Sequence, residues 1–463
     1  MSQEKYYQRV IKIHEQLNDV SPSFCVAKWK QVTLHLQNGH THSCHHPKTH
    51  QVPLDELKNN PSALHNTNYK KEQRKMMLEG KRPEECEYCW KVEDKSTDSY
   101  SDRVYKSSDT WAHPYIEDIV SKPWDDNVDP SYVEVSFGNV CNFKCSYCAP
   151  HISSQWMEEI ERYGPYPTSD KFNNLEWTIM QNQMPIPNKD ENPYVDAFWE
   201  WFPKMYKELK YFRITGGEPL LNKNTFKVLE YIIANPNPGL EVAINTNMNP
   251  PKELFDKFLA MAKTIKDENK VAKFKIFTSA EAHGKQAEYT RFGMNYDLWI
   301  SNIHKAYEVI PDIEFTIMST YNILSLPSYT KFLQDMLDIK KRYLSKKMTH
   351  SPMMVDIPYL RHPSHQAIFM MTPELLPLIK EHMDFMYANL ESPSKPYDGF
   401  FEFEADKMRR IYEMANTIVQ ENNNVQTDRK NFAIFVDEHD KRRGTNFLET
   451  FPELEDFYKT CKY

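Results

Sequence analysis

The sequence predicts an α/β fold built on a partial (βα)6 barrel, similar to a TIM barrel, and two observations carry this prediction. Between residues 130 and 360, six short β-rich runs alternate with amphipathic segments of helical spacing. This alternation is typical of βα units on a parallel sheet. A loop with three cysteines directly follows the first run, at the strand end where such barrels carry their chemistry.

Each unit of the predicted barrel can be placed on the sequence. The predicted strands are Tyr132–Phe137, Tyr211–Thr215, Leu240–Thr246, Phe274–Ser279, Ile313–Ser319 and Met354–Tyr359. The predicted helices between them are Thr225–Ala234, Lys252–Ala262, Leu298–Val309 and Tyr329–Tyr343. Six strands are fewer than the eight of a closed barrel, so we expect an open one.

Two further regions flank the barrel, giving predicted domains at residues 1–125, 126–365 and 366–463. The first region is polar and rich in His and Cys, and contains a predicted hairpin around Gln37-Asn38-Gly39-His40. Asn-Gly pairs favour the type I′ turn. The third region has helical periodicity at Pro373–Asn389 and Glu404–Glu421, which predicts a C-terminal helical extension packed on the barrel.

Composition and charge exclude several classes of protein. Of the 463 residues, 40% are hydrophobic and 26% charged, as in ordinary globular proteins. The net charge of −8 makes nucleic acid an unlikely partner, because binding to a phosphate backbone requires positive charge. The sequence contains no run of 18 apolar residues, so no membrane span is predicted. The first residues lack the apolar core of a signal peptide, so we expect a cytoplasmic protein.

Seven of the eight cysteines fall into two groups with the spacing of metal ligands. The first group is Cys25, Cys44, Cys86 and Cys89, the second is Cys141, Cys145 and Cys148, and Cys461 stands alone. Disulfides are rare in reducing compartments. Metal binding is therefore the better explanation of seven of the eight.

The second group forms a compact loop with the spacing Cys-x3-Cys-x2-Cys. A cubane cluster of four irons usually takes four thiolates, so three thiolates leave one iron open to a ligand. An open position is what a catalytic metal needs. A zinc site whose fourth ligand comes from elsewhere, for example His151, is the alternative that the spacing alone leaves open.

A second motif follows the next predicted strand. Tyr211–Thr215 leads into Gly216-Gly217-Glu218-Pro219, although the chain has only 11 glycines. Glycines at a strand end let the backbone approach a ligand closely. A carboxylate beside them can accept hydrogen bonds from an ammonium group. Alone, this motif is a weak turn signal.

Together, the two motifs resemble the radical S-adenosylmethionine (radical SAM) superfamily over roughly residues 130–360. Its signature is three cysteines spaced x3 and x2, with an aromatic residue before the third, followed by Gly-Gly-Glu after the second strand. The resemblance implies a catalytic 4Fe–4S cluster on Cys141, Cys145 and Cys148, with S-adenosylmethionine on the open iron. It further implies cofactor cleavage to methionine and a 5′-deoxyadenosyl radical that abstracts hydrogen from a substrate.

The same resemblance implies a set of cofactor contacts. Tyr147 would lie near the adenine, the Gly-Gly-Glu motif would hold the ammonium group, and Arg291 would bind the carboxylate, for which a guanidinium is well suited. The full set is Tyr147, Gly216, Gly217, Glu218, Thr246, Asn247, Ser279, Arg291 and Asn322. Many relatives carry an acidic residue and glycine after the serine, whereas this chain has Ala280-Glu281-Ala282. The resemblance therefore gives Glu281 no firm role.

The N-terminal cysteines resemble the twitch and SPASM extensions of radical enzymes. Thirteen residues separate Cys25 from Gly39, four separate Gly39 from Cys44, and Cys86-x2-Cys89 follows. This spacing implies an auxiliary 4Fe–4S cluster in a twitch-like domain, with zinc as the alternative. Such a unit usually follows the barrel, whereas here it precedes it. A fully thiolate-bound cluster would serve in electron transfer.

These inferences predict a radical SAM enzyme that carries out an oxidative or bond-forming modification of a peptide or protein. The alternatives are oxidation of a small metabolite or sugar by the same chemistry, a non-catalytic zinc-binding interaction module, and a degenerate fold that binds the cofactor without turnover. The expected partners are the substrate and an electron donor such as flavodoxin or ferredoxin.

Overall fold

The computed structural model describes residues 3–95, 100–344, 350–420 and 425–462. Eleven strands in this described part of the chain form one large sheet and one two-stranded ladder. The strands are β1 (Gln31–His35), β2 (His40–His42), β3 (His50–Gln51), β4 (Tyr132–Ser136), β5 (Lys144–Cys145), β6 (Tyr211–Thr215), β7 (Asn237–Asn245), β8 (Val271–Ser279), β9 (Arg291–Phe292), β10 (Glu314–Met318) and β11 (Met353–Asp356).

Within the described ranges, twenty α-helices surround the sheet and fill the two flanking regions. Those up to the second barrel strand are α1 (Gln3–Val20), α2 (Ala27–Lys30), α3 (Leu54–Asn59), α4 (Asn68–Leu78), α5 (Glu87–Glu93), α6 (Asp102–Ser107), α7 (Ile116–Val120), α8 (Ser154–Tyr163), α9 (Leu175–Met180) and α10 (Pro193–Met205). The others are α11 (Lys223–Ala234), α12 (Lys252–Asp267), α13 (Gly284–Thr290), α14 (Tyr296–Val309), α15 (Tyr329–Tyr343), α16 (Leu376–Ala388), α17 (Glu402–Gln420), α18 (Gln426–Arg443), α19 (Phe447–Thr450) and α20 (Glu455–Cys461).

The nine-stranded sheet has the order β11-β10-β8-β7-β6-β4-β1-β2-β3. All neighbours from β11 to β1 pair in parallel, and helices connect most of them. This confirms the predicted partial α/β barrel, and each of its six predicted strands corresponds to an observed one. Residue 421, the predicted end of the last long helix, lies outside the described residues.

Alternating side chains give the barrel sheet an apolar outer face and a polar inner face. In β6, Phe212 and Ile214 are buried in the main hydrophobic core, while Arg213 between them points to the other side. The outer face packs on helices, as Phe274 of β8 does against Phe258 of α12. The period of two along each strand thus separates a core layer from an interior of hydrogen-bonding groups.

The N-terminal hairpin extends the barrel sheet. β1 pairs in parallel with β4, with Gln31 opposite Tyr132 and His35 opposite Ser136. It also pairs antiparallel with β2, so the predicted hairpin is confirmed. The predicted type I′ turn is wrong: it needs two positive φ angles, and of the Asn-Gly pair only Gly39 has one, at 73°.

Helices α16–α20 form the predicted helical C-terminus. The core of the barrel extends into this region through Phe432 and Val436 of α18. Two of its side chains reach the three-cysteine loop: Arg443 donates to the Lys144 carbonyl and Gln366 to the Ser146 carbonyl. Among the described helices, none has the length and apolar character of a membrane span.

Candidate active site

A cavity of about 400 Å³ lies at the carboxyl ends of the barrel strands. It is lined by all three loop cysteines, Cys141, Cys145 and Cys148, and by seven of the nine predicted cofactor contacts. These seven are Tyr147, Gly216, Gly217, Thr246, Asn247, Ser279 and Arg291. The fold therefore brings together residues that span about 150 positions of sequence.

Backbone pairing holds the cysteine loop in place. In the two-stranded ladder β5–β9, Cys145 lies opposite Arg291, and the next amide, of Ser146, donates to the Thr290 carbonyl over 2.7 Å. Trp156 of α8 donates its indole N–H to the Cys145 carbonyl over 2.8 Å. The cysteine loop is thus hydrogen-bonded both to the segment that follows β8 and to helix α8, which comes directly after the loop in the chain.

The two glycines after β6 allow a close approach to this loop. Gly216 has a φ of 119°, and a Cβ there would lie 2.5 Å from the Ser136 hydroxyl. A Cβ on Gly217 would lie 2.3 Å from the Val140 carbonyl. Any side chain would therefore push the β6 turn away from the cysteine loop, and this explains two adjacent glycines in a glycine-poor chain.

The three thiols fit a ligand that binds thiolates. Burial raises the pKa of Cys141 to about 12 and also raises the pKa of Cys145 and Cys148, so they are neutral thiols until a metal displaces their protons. Three cysteines that line one cavity supply the number of ligands that a cubane with one open iron needs. Among the described residues, no group of three or more His, Cys, Asp or Glu is arranged to hold a metal ion.

Two predicted contacts do not line the cavity and instead support its walls. Glu218 is buried, and its carboxylate accepts hydrogen bonds from Thr246 Oγ1 at 2.8 Å and from the Asn247 amide at 2.6 Å. Burial raises the pKa of Glu218 to about 7. Asn322 is also buried, and it caps a short helical turn by accepting from the Leu324 amide.

Glu281, for which the resemblance implies no firm role, belongs to a buried hydrogen-bond network beside the cavity. Its carboxylate accepts hydrogen bonds from Arg291 Nε at 2.9 Å and from Arg291 Nη2 at 2.6 Å. The Tyr147 hydroxyl donates to the same carboxylate at 3.1 Å. Tyr147 and Arg291 are thus held by one acceptor that follows β8.

Seven more lining residues were not predicted as cofactor contacts: Phe143, Ala149, His151, Ile152, Phe172, Asn245 and Thr320. Asn245 ends β7 and Thr320 follows β10, so their place at strand ends was a signal that could have found them. His151 was considered only as the fourth ligand of the alternative zinc site. Burial lowers its pKa to about 4, so it is a neutral imidazole at neutral pH.

The four N-terminal cysteines line a second cavity together with Lys28 and Arg103. Cys25, Cys86 and Cys89 are each less than one tenth exposed, and burial raises the pKa of Cys89 to about 12. Lys28 forms an ion pair with Glu85 beside the cavity. The fold thus brings together four cysteines from a stretch of chain whose ends, Cys25 and Cys89, are 64 positions apart.

The second cavity lies at the opposite end of the strands from the first. Cys25 precedes α2, which leads into the start of β1, and Cys44 follows β2, which runs antiparallel to β1. Both cysteines are therefore near the amino end of β1, whereas the three-cysteine loop follows the carboxyl end of β4. A strand of five residues separates these ends by roughly 13 Å at about 3.3 Å per residue.

The polar inner face of the sheet lies between the two ends. Arg213 donates to Asn245 Oδ1 over 2.8 Å, lies 3.8 Å from a carboxylate oxygen of Glu134, and has its guanidinium 4.1 Å from the Phe277 ring centre. Two buried polar atoms of β1, Gln31 Oε1 and Thr33 Oγ1, have no hydrogen-bond partner within the described part of the chain. Such atoms are costly unless a ligand or water satisfies them.

Comparison with known proteins shows what the central part of the chain is similar to. Residues 135–339 match the profile of the Radical SAM superfamily, which includes the three-cysteine loop, the Gly-Gly-Glu motif and the strands up to β10. Residues 135–339 are therefore similar to the Radical SAM superfamily, whose members are enzymes that use a 4Fe–4S cluster and S-adenosylmethionine.

Two curated relatives bear the name GTP 3′,8-cyclase. The chain is 30% identical over 118 residues to the one from Nautilia profundicola and 30% identical over 116 residues to the one from Pasteurella multocida. These matches cover 25% of this chain and only 27% and 26% of the two relatives. The chain thus spans about a quarter of the length of the curated relatives that it matches.

Proposed function

We propose that this enzyme abstracts a hydrogen atom from a small polar metabolite bound in the barrel interior, in an oxidative or bond-forming reaction. The observation that carries the proposal is the pair of unsatisfied buried polar atoms on β1, Gln31 Oε1 and Thr33 Oγ1. They face the same interior as Arg213 and Glu134. A polar ligand between the two cysteine cavities would satisfy them.

The names of the two relatives support a small substrate, since GTP is a nucleotide and not a peptide. Nothing in the comparisons supports the predicted peptide or protein substrate, which stays a prediction. The guanidinium of Arg213 favours a substrate with an anionic or strongly hydrogen-bond-accepting group, because charge-assisted bonds in a buried site are strong.

Residues at different positions of the site would have different roles in this reaction. Cys141, Cys145 and Cys148 would hold the cluster, and the cavity beside Gly216 and Gly217 would hold S-adenosylmethionine. When bound, this pair supplies a carbon radical able to abstract hydrogen. Glu218 would act indirectly, since its bonds to Thr246 and Asn247 orient the β7 turn that borders the cofactor.

The proposal is tested by the dependence of 5′-deoxyadenosine formation on candidate substrates. The anaerobically reconstituted enzyme, with dithionite, is offered three pools: nucleoside triphosphates, a cell extract below about 3 kDa freed of peptides, and a peptide digest. Formation above the substrate-free rate with either small-molecule pool supports the proposal. A response to the peptide digest alone would replace it with the peptide prediction.

We further propose that the cavity of Cys25, Cys44, Cys86 and Cys89 holds an auxiliary 4Fe–4S cluster, as expected from the twitch resemblance. Its place at the amino end of the barrel would let it exchange electrons with a substrate in the interior. We expect about eight irons per chain, four for each cluster, and loss of about half of them in the double variant Cys86→Ala/Cys89→Ala. Iron, zinc and sulfide analysis measures this.

The control for this count is the double variant Cys141→Ala/Cys145→Ala, which should lose the other half of the iron. Four irons plus one zinc in the wild-type chain would favour the zinc alternative for the N-terminal cysteines. Four irons without zinc would show that the N-terminal cysteines hold neither an auxiliary cluster nor zinc.

Replacement of Arg213 by Gln should weaken substrate binding. Loss of a charge-assisted bond costs about 1.5–3 kcal/mol, so we expect the KM for the substrate to rise about 10- to 100-fold. The matched control is Lys273→Gln, since Lys273 belongs to β8 but its side chain is about half exposed. An unchanged KM in the Arg213 variant would mean that the substrate lies elsewhere.

A further inference from the structure

The guanidinium of Arg291 reaches a cysteine of the loop. Its Nη1 lies 3.7 Å from Cys145 Sγ, a distance at which an N–H group donates to sulfur. The contact follows from the backbone, because Arg291 and Cys145 are partners in the β5–β9 ladder. The side chain of Arg291 is only 8% exposed, so water does not screen this contact.

The remaining donors of Arg291 are mostly in use. A guanidinium has five N–H groups. The Nε group and one Nη2 group are directed at Glu281, and the other Nη2 group at the Tyr147 hydroxyl. With one Nη1 group directed at Cys145, a single N–H remains for any carboxylate of the cofactor. In this arrangement, Arg291 therefore cannot donate two hydrogen bonds to a carboxylate of the cofactor.

We propose that Arg291 is a positioning residue that sets the reduction potential of the cluster through its hydrogen bond to Cys145 Sγ, with Glu281 as its counter-charge. This inference rests on Cys145 being a cluster ligand. It goes beyond the proposed substrate chemistry, because it concerns how readily the cluster accepts an electron.

The physical reason lies in the charge that reduction adds. Hydrogen bonds to cluster sulfurs and nearby positive charge stabilise the reduced form and raise the potential. A buried carboxylate has the opposite effect, and the low dielectric of the interior strengthens both. Arg443 also lies near Cys145, but it donates to the Lys144 carbonyl and to Glu159 rather than to sulfur.

The test is a redox titration of reconstituted protein without S-adenosylmethionine, followed by electron paramagnetic resonance. The signal to follow is the one that changes when S-adenosylmethionine is added. We expect a more negative midpoint potential in Arg291→Gln and a more positive one in Glu281→Gln. Arg291→Lys should lie between Arg291→Gln and the wild type, because it keeps the charge but loses the fork.

The matched control is Lys285→Gln on the neighbouring helix α13, a cation that is 87% exposed, and it should keep the wild-type potential. Iron and sulfide content verifies that each variant is loaded; if Arg291→Gln does not load, Glu281→Gln and Arg291→Lys decide. Unchanged potentials, with only a raised KM for S-adenosylmethionine, would overturn the proposal. Neither outcome depends on the identity of the substrate.

Discussion

Replacement of Cys148 by alanine is expected to abolish formation of 5′-deoxyadenosine. The loop supplies three thiolates to one cavity, so removing one leaves two, too few to hold a four-iron cluster with a single open iron. The loss should exceed the roughly 10- to 100-fold that outer-shell changes cost at metal sites. Quantification of the nucleoside after dithionite reduction measures it, together with the iron bound.

Cys461→Ala is the matched control, since Cys461 is also a buried thiol but lies in the last helix, α20. It should retain its iron and its rate of cofactor cleavage. If the Cys148 variant still cleaved the cofactor at the wild-type rate, the assignment of the cysteine loop as the catalytic centre would be wrong.

Replacement of Arg443 by methionine should destabilise the protein by about 3 kcal/mol, the scale of a broken buried ion pair. Arg443 at the end of α18 is fully buried and donates to both oxygens of Glu159, at 3.1 and 3.2 Å. Burial alone would raise the pKa of Glu159, but Arg443, Lys144 and Tyr166 lower it to about 2. Without Arg443, this carboxylate keeps its charge with fewer partners.

Urea unfolding of the protein measures this effect, with Lys441→Gln as the control. Lys441 is a neighbouring cation that is 77% exposed, and its loss should change the free energy of unfolding by less than about 0.5 kcal/mol. Equal stabilities of the two variants would show that the Arg443–Glu159 pair contributes no net stability. The Arg443 variant should also lose iron from the loop, since Arg443 donates to the Lys144 carbonyl.

The fold was predictable where the signal is local. Alternation of apolar residues marks the six barrel strands within a few residues of their observed ends, and Tyr211–Thr215 matches β6 fully. The position of the N-terminal hairpin in the sheet was not predictable. It depends on the pairing of β1 with β4, which joins segments about one hundred residues apart. No local pattern in Gln31–His35 specifies its partner.

The candidate site, too, was predictable where the signal is local and not where it depends on pairing between distant strands. Cysteine spacing and the Gly-Gly-Glu motif located the cavity, because each is a short contiguous pattern at a strand end. The Arg291–Glu281–Tyr147 network needs the register of β5 with β9, and the Arg213–Glu134 pair needs the register of β4 with β6. Such pairs become visible only when strand neighbours are known.

The pairing of β1 with β4 also has a consequence for the order of events during synthesis. The ribosome delivers Gln31 long before Tyr132, its parallel partner 101 residues later. Until then the hairpin has only β2 on one side, and its other edge is open to unwanted strand addition.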